Sequence, residues 1–130
     1  MIICPIRHIK LDLKRKMKWI VEFHDDFADE FDILPEDVQD ALLVKAGLLQ
    51  EFGSSLGRPH VGTLKGSQHF NMKELRFDAA DGVWRVLFAF DPTRKAILLV
   101  GGDKSGGSEK KFYKQLIQKA DDRYSTHLKN

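Results

Sequence analysis

The sequence predicts an α+β domain in the order β-α-α-β-β-β-α, with a helical hairpin packed on a twisted, mainly antiparallel sheet. Three observations carry this. Apolar residues recur at helical spacing from Phe27 to Phe52 and again from Phe112 to Tyr124. Between those stretches, residues 70–100 run as short β-rich segments. Turn-forming residues break those segments at Asp81-Gly82 and at Asp91–Arg94. Strands grouped together, with helices before and after them, read as α+β rather than as alternating β-α units.

Each element has its own signal. Trp19 to His24 is short, apolar and β-rich, a first strand. Asp25-Asp26 offer N-cap chemistry, and Phe27, Phe31 and Leu34 follow at i, i+4, i+7, a short helix. Pro35 suits the first turn of a second helix, with Glu36 and Asp37 favourable at its positive end. Val38, Ala41, Leu42, Lys45, Leu49 and Phe52 form its stripe, and Gly53 ends it. Residues 53–69 read as a loop with a short extended piece at Val61–Leu64. The meander strands are expected at Phe70–Phe77, Val83–Phe90 and Ala96–Val100. Gly101–Gly107 reads as a flexible loop, and Ser108-Glu109 opens a basic terminal helix with Phe112, Leu116, Ala120 and Tyr124 in register. Residues 1–16 stand apart as an N-terminal extension. A clean strand pattern opens at Met17-Lys18, which marks Met17 as an alternative translation start; an extra edge strand is the other reading. Residues 17–130 form the single expected domain.

Composition narrows the function classes. A chain of 130 residues, 42% hydrophobic and 31% charged, can bury a core without staples and is not a disordered sequence. Its single cysteine, Cys4, excludes an internal disulfide framework and a Cys-rich zinc site. No apolar run approaches the ~18–20 residues of a membrane helix. The start is apolar first and basic afterwards, the reverse of a signal peptide, so a cytoplasmic location is expected. The net charge of +2 hides a polarised chain. Residues 1–17 carry five basic side chains against one acidic, residues 18–57 two against ten, and residues 58–130 fourteen against eight. Such asymmetry fits a second half that meets something anionic and a first half that faces water or a basic partner.

Period-2 alternation then places the chemistry. Trp84, Val86, Phe88 and Phe90 share one face, and Arg85 points the other way with Leu87 and Ala89. If Leu75 and Phe77 join the Trp84 face, Glu74, Arg76 and Arg85 converge on the far side. Two guanidiniums and a carboxylate there form either a phosphate-binding platform or a structural ion pair. Lys104, Lys110, Lys111 and Lys114 follow the last strand, with Tyr113 among them. They have the charge to grip a phosphodiester backbone, and a solvated basic helix is the plainer reading. Gly101–Gly107 lacks the phosphate-loop spacing, because Lys104-Ser105 precedes its last glycines. The five histidines show no metal-ligand spacing; His60 and His69 flank Lys65 and could approach a substrate.

Leu64-Lys65-Gly66, Lys73-Glu74-Leu75-Arg76, Trp84-Arg85-Val86-Leu87-Phe88 and Gly102-Asp103-Lys104 before a Lys-rich helix together resemble the RelE/ParE toxin superfamily. Within it the chain looks most like the HigB-like, phage-derived branch of type II toxin-antitoxin systems, over about residues 17–125. The resemblance implies an endoribonuclease that cuts mRNA in the ribosomal decoding site, without metal or other cofactor. It also implies a cognate antitoxin carrying a helix-turn-helix DNA-binding domain, through which alone the toxin would meet operator DNA. By position, Arg85 matches the arginine expected to hold the scissile phosphate, and Arg76 matches one that positions RNA or braces Glu74. Lys104 falls where a basic residue follows the last strand, and Tyr113 where some members place a tyrosine near the reacting group. Two lysines of the RelE branch are replaced here by Met72 and Glu74. Glu74 could then act as a base, or Lys73 could substitute if a bulge shifts the register. Lys65, Lys73, Lys110, Lys111 and Lys114 are the expected RNA-binding residues, and an open sheet face is expected to bind the mRNA. A toxin of the same fold that inhibits another target such as gyrase, and an inactive binding module, are the rival readings.

Overall fold

The computed structural model of the protein describes residues 19–130. The expected extension at residues 1–16 and the expected start at Met17 lie outside the described residues. The elements are β1 (Ile20–Phe23), α1 (Asp25–Asp32), α2 (Glu36–Phe52), β2 (Val61–Thr63), β3 (Met72–Ala79), β4 (Gly82–Phe90), β5 (Lys95–Asp103) and α3 (Glu109–Lys129). They form one sheet in the order β1-β5-β4-β3-β2. The β2–β3, β3–β4 and β4–β5 pairs are antiparallel, and β1 lies parallel to β5. The architecture is the α+β one expected, with the short extended piece at 61–63 becoming a fifth strand.

Local chemistry explains the helix ends. His24, not an aspartate, caps α1: its Nδ1 accepts from the Asp26 N–H at 3.1 Å. Asp25 and Asp26 instead occupy the first turn, where their charge opposes the helix dipole. Pro35 precedes α2, and Glu36 and Asp37 fill its first turn. Gly53 ends α2 at a φ of 55°, and the Trp19 indole occupies the space a Cβ would need.

Two apolar layers cover the sheet. On one face α1 and α2 bury Phe27, Phe31, Val38, Leu42 and Leu49 against Leu75, Phe77, Val86, Phe88 and Leu98. On the other, α3 lays Leu116, Ile117, Ala120 and Tyr124 on Met72, Leu87, Ala89, Ile97 and Leu99. Burying each aromatic or large aliphatic side chain contributes about 1.5–3 kcal/mol. The expected open sheet face is therefore corrected: α3 covers its centre. Leu87 and Ala89, grouped with Arg85 by alternation, need that cover because they are apolar and fully buried.

Two element boundaries also move. The flexible loop expected at Gly101–Gly107 begins later, because β5 runs through Gly101 and Gly102 to Asp103. Those glycines are packing requirements. A Cβ on Gly101 would meet Val86 and Phe27 at 3.2 and 3.3 Å, and one on Gly102 would meet Phe112 at 3.0 Å. The first meander strand begins at Met72, not Phe70, and Phe70 is fully exposed. Arg123 ties the layers together, donating to both Glu30 carboxylate oxygens and, at 2.7 Å, to the Leu99 carbonyl.

Candidate active site

Arg76 on β3 and Arg85 on β4 are directly paired across the ladder, so the pleat sends both side chains to one face. Glu74, two residues before Arg76, joins them there and is 2% exposed. Its Oε2 accepts from Arg76 Nε at 2.8 Å and lies 3.8 Å from Arg85 Nε. Its Oε1 accepts from the Tyr113 hydroxyl at 2.7 Å. Tyr113 comes from α3, so the cluster closes only when that helix docks. Burial, and then the bond to Glu74, push the Tyr113 phenol up to about 12, with Arg85 opposing. It is a neutral phenol at physiological pH.

Arg85 is held without being used up. Its Nη1 donates to its neighbour's carbonyl, Trp84 O, at 2.8 Å, while its buried Nε makes no hydrogen bond. A buried donor left unpaired costs about 1–3 kcal/mol. The Glu74 carboxylate, 3.8 Å away, offsets part of that as an ion pair. Arg76 lies flat across Gly62 of β2, where any Cβ would come within 2.3 Å of its guanidinium. Lys104 follows β5, its N–H donating to Val83 O at 2.8 Å. Its ammonium pairs with Glu109 at 2.9 Å and stands 5.9 Å from the Tyr113 ring centre. Asp103 orders the turn after it by accepting from Val83 N and Ser105 N.

The cluster opens on two grooves. One, of about 530 Å³, runs between α2 and the free part of β3 and includes Val44, Lys45, Pro59, Phe77, Arg76 and Arg85. The other, of about 470 Å³, lies between α3 and the 65–68 loop and includes Lys65, Gln68, Lys110, Tyr113, Lys114 and Gln118.

Five residues expected to carry catalysis thus assemble: Arg85, Arg76, Glu74 and Tyr113 in contact, with Lys104 alongside. Lys65, Lys110 and Lys114 gather at the second groove. Lys111 lies on the neighbouring surface of α3 with Gln115 and Lys119. Lys73 does not reach the cluster. The β3–β4 register has no shift, so alternation turns Lys73 to the face shared with Leu75. The one register shift lies between Leu87 and Phe88 on the β4–β5 side. His60 is taken up by Lys45 at 2.8 Å, and His69 by Ser125 at 3.0 Å and the Tyr124 ring, so neither stands free for a substrate. The sequence reading missed Gly62, which makes room for Arg76, and Asp121, whose buried carboxylate accepts from Ser67 Oγ and Gln68 N. An acid adjoining the Leu116–Ala120–Tyr124 stripe was the available signal for Asp121; Gly62 carried none.

A mixed sheet with this order, flanked by a helical pair and a terminal helix, is a RelE-like fold. The fold aligns with a free-state Arg-to-Ala double mutant of E. coli toxin RelE over 82% of this chain and 98% of that one, at a TM-score of 0.59 and 14% identity. It aligns with an archaeal RelE–RelB complex from Pyrococcus horikoshii over 70% of this chain and 100% of that one, at a TM-score of 0.50 and 18% identity. Residues 29–125 match the family described as Phage derived protein Gp49-like (DUF891), and the chain belongs to that family. Two Mycobacterium tuberculosis relatives, both assigned by name as toxins, are similar in sequence. HigB3 is 45% identical over 75% of this chain and 83% of its own length, and HigB2 is 40% identical over 73% of this chain. The chain spans about half, 47%, of HigB2. Among the described residues no helix is long and apolar enough to cross a membrane.

Proposed function

We propose that the protein is the toxin of a type II toxin-antitoxin pair, a metal-independent endoribonuclease that cleaves ribosome-bound mRNA in the cytoplasm and arrests translation. The observation that carries this reading is the pair of guanidiniums, Arg85 directly opposite Arg76, which share the one buried carboxylate of Glu74. Two cations against one carboxylate leave a net positive charge that an oxyanion would balance. The names of the two mycobacterial relatives support its toxin part.

In this mechanism the 2′-oxygen attacks the adjacent phosphorus, its proton passing to solvent. The P–O5′ bond breaks, leaving a 2′,3′-cyclic phosphate, and the 5′-oxygen takes a proton. Arg85 and Arg76 hold the non-bridging oxygens, where charge accumulates in the transition state. Glu74 is a positioning residue rather than the base considered from sequence, since it is buried and both its oxygens are occupied. Tyr113 braces Glu74 and closes the pocket. Lys104, whose partner Glu109 is exposed, is the ammonium that protonates the leaving oxygen. The acidic α1–α2 hairpin packs on the opposite sheet face from α3, and Ala41, Val44 and Lys45 of α2, none of them acidic, are what it presents to the arginine groove. The partner is an antitoxin with a helix-turn-helix domain, which alone touches operator DNA.

Primer-extension mapping of a defined mRNA, with and without programmed ribosomes, tests this beside a folded Arg85→Ala control. Discrete cuts that vanish in the variant are the expected result. An intact message from a protein that still arrests growth would overturn it.

A further inference from the structure

The second groove has chemistry that the reaction does not use. Lys65, Lys110 and Lys114 supply three ammoniums, all on exposed residues. Gln68 and Gln118 add two amides, each with a donor and an acceptor, and Ile117 and the Tyr113 ring give an apolar lining. Tyr113 belongs to both places: its hydroxyl is on Glu74 and its side chain lines the groove. The groove therefore starts where the arginine cluster ends.

Its loop wall is built, not floppy. Asp121 is 4% exposed, and its two oxygens accept from Ser67 Oγ at 2.5 Å and Gln68 N at 2.9 Å. Ser67 Oγ in turn accepts from the His69 N–H at 3.0 Å. A buried carboxylate on α3 thus fixes the loop that carries Lys65 and Gln68 at a set distance from Lys110 and Lys114.

We propose that this groove is a nucleotide subsite for the residue next to the scissile phosphate. Lys65, Lys110 and Lys114 hold its phosphate, Tyr113 offers a face to its base, and Gln68 and Gln118 read the base edge. Asp121 is the positioning residue for the loop. The inference rests on the ribonuclease reading and deepens it: Gln68 and Gln118 become determinants of cleavage-site preference. Cations alone would serve any anionic partner. Paired amides beside an aromatic ring fit a nucleobase, whose edge presents donors and acceptors and whose face stacks. An acidic peptide backbone would meet the ammoniums and the amides but brings no planar base to lie on the Tyr113 ring.

The test compares wild type, Gln68→Ala/Gln118→Ala, Ser67→Ala and a Gln115→Ala control on programmed ribosomes carrying mRNAs randomised around the cleavage site. Both substituted glutamines are exposed, so folding is not at stake. The double variant is expected to keep cutting but to lose about 5- to 10-fold of its base preference at one position beside the cut. Ser67→Ala is expected to raise KM while leaving kcat near wild type, and Gln115→Ala to keep the wild-type profile. A double variant with the wild-type cleavage profile would overturn the subsite while leaving the ribonuclease reading intact. Absence of cutting by the wild type would overturn both.

Discussion

Removing the Arg85 guanidinium takes away a planar fork that was already aimed, so the loss should fall on the chemical step. Arg85→Ala is expected to lower kcat about 10²- to 10³-fold in single-turnover cleavage on programmed ribosomes. Arg85→Lys should recover little, because an ammonium is a point charge without the fork. A variant with near wild-type kcat would remove Arg85 from the site. Tyr113 gives a second check that needs no substrate. Its ultraviolet titration should have a midpoint of about 12 against an ordinary 10.0. In Glu74→Gln the midpoint should fall, since the hydrogen bond and the charge of Glu74 both raise it. A midpoint unmoved by that substitution would show that the carboxylate does not hold the phenol.

β2 is only three residues long, yet it decides where Arg76 lies. Gly62 pairs with Glu74, and its missing Cβ leaves the bed on which the guanidinium rests. Gly62→Ala should fold, because the clash is with the far end of a flexible side chain and alanine suits a strand at least as well as glycine. It should nevertheless push Arg76 off Glu74 and lower cleavage by about 10- to 100-fold, with little change in Tm. Wild-type turnover in this variant would mean that Arg76 tolerates displacement. The same element shows where sequence reasoning stops. Val61 and Thr63 flank a single glycine, and no periodicity in three residues separates a strand from a loop. β5 shows the opposite failure. Two consecutive glycines read as a loop, whereas they stay in the strand because Phe27, Val86 and Phe112 need the space.

Across the whole molecule the two faces of the sheet are joined by Arg123, which reaches from α3 to Glu30 of α1. The hydrogen bond from Arg123 holds the Glu30 carboxyl below its ordinary 4.5. A carboxyl lowered in the folded state stabilises the fold above its unfolded value, and that contribution is lost as pH falls through the folded one. Wild type should therefore lose stability on acidification below about 4.5, and Glu30→Gln should lose less over that window. The difference is expected to be about 1 kcal/mol or less, because the Glu30 side chain is 40% exposed and water screens the pair. Parallel acid-unfolding curves for the two proteins would show the pair to be inert.

What could be read from the amino acids was whatever depends on local periodicity. Helical spacing placed α1, α2 and α3, and the Asp81-Gly82 signal placed the β3–β4 hairpin to within a residue: the turn is Ala80-Asp81, Gly82 opens β4, and that register faces Arg76 with Arg85. Glu74 followed from the same alternation, since residues two apart share a face. Tertiary packing alone decided that α3 covers that face and brings Tyr113 onto Glu74. A helix stripe shows that an apolar surface will be buried, but not which side of a sheet buries it. It also decided that Asp121, one helical position beside that stripe, turns inward to hold a loop more than fifty residues earlier in the chain. Lys73 shows the limit from the other side: its charge drew attention, and an unbroken register placed it across the sheet from the site.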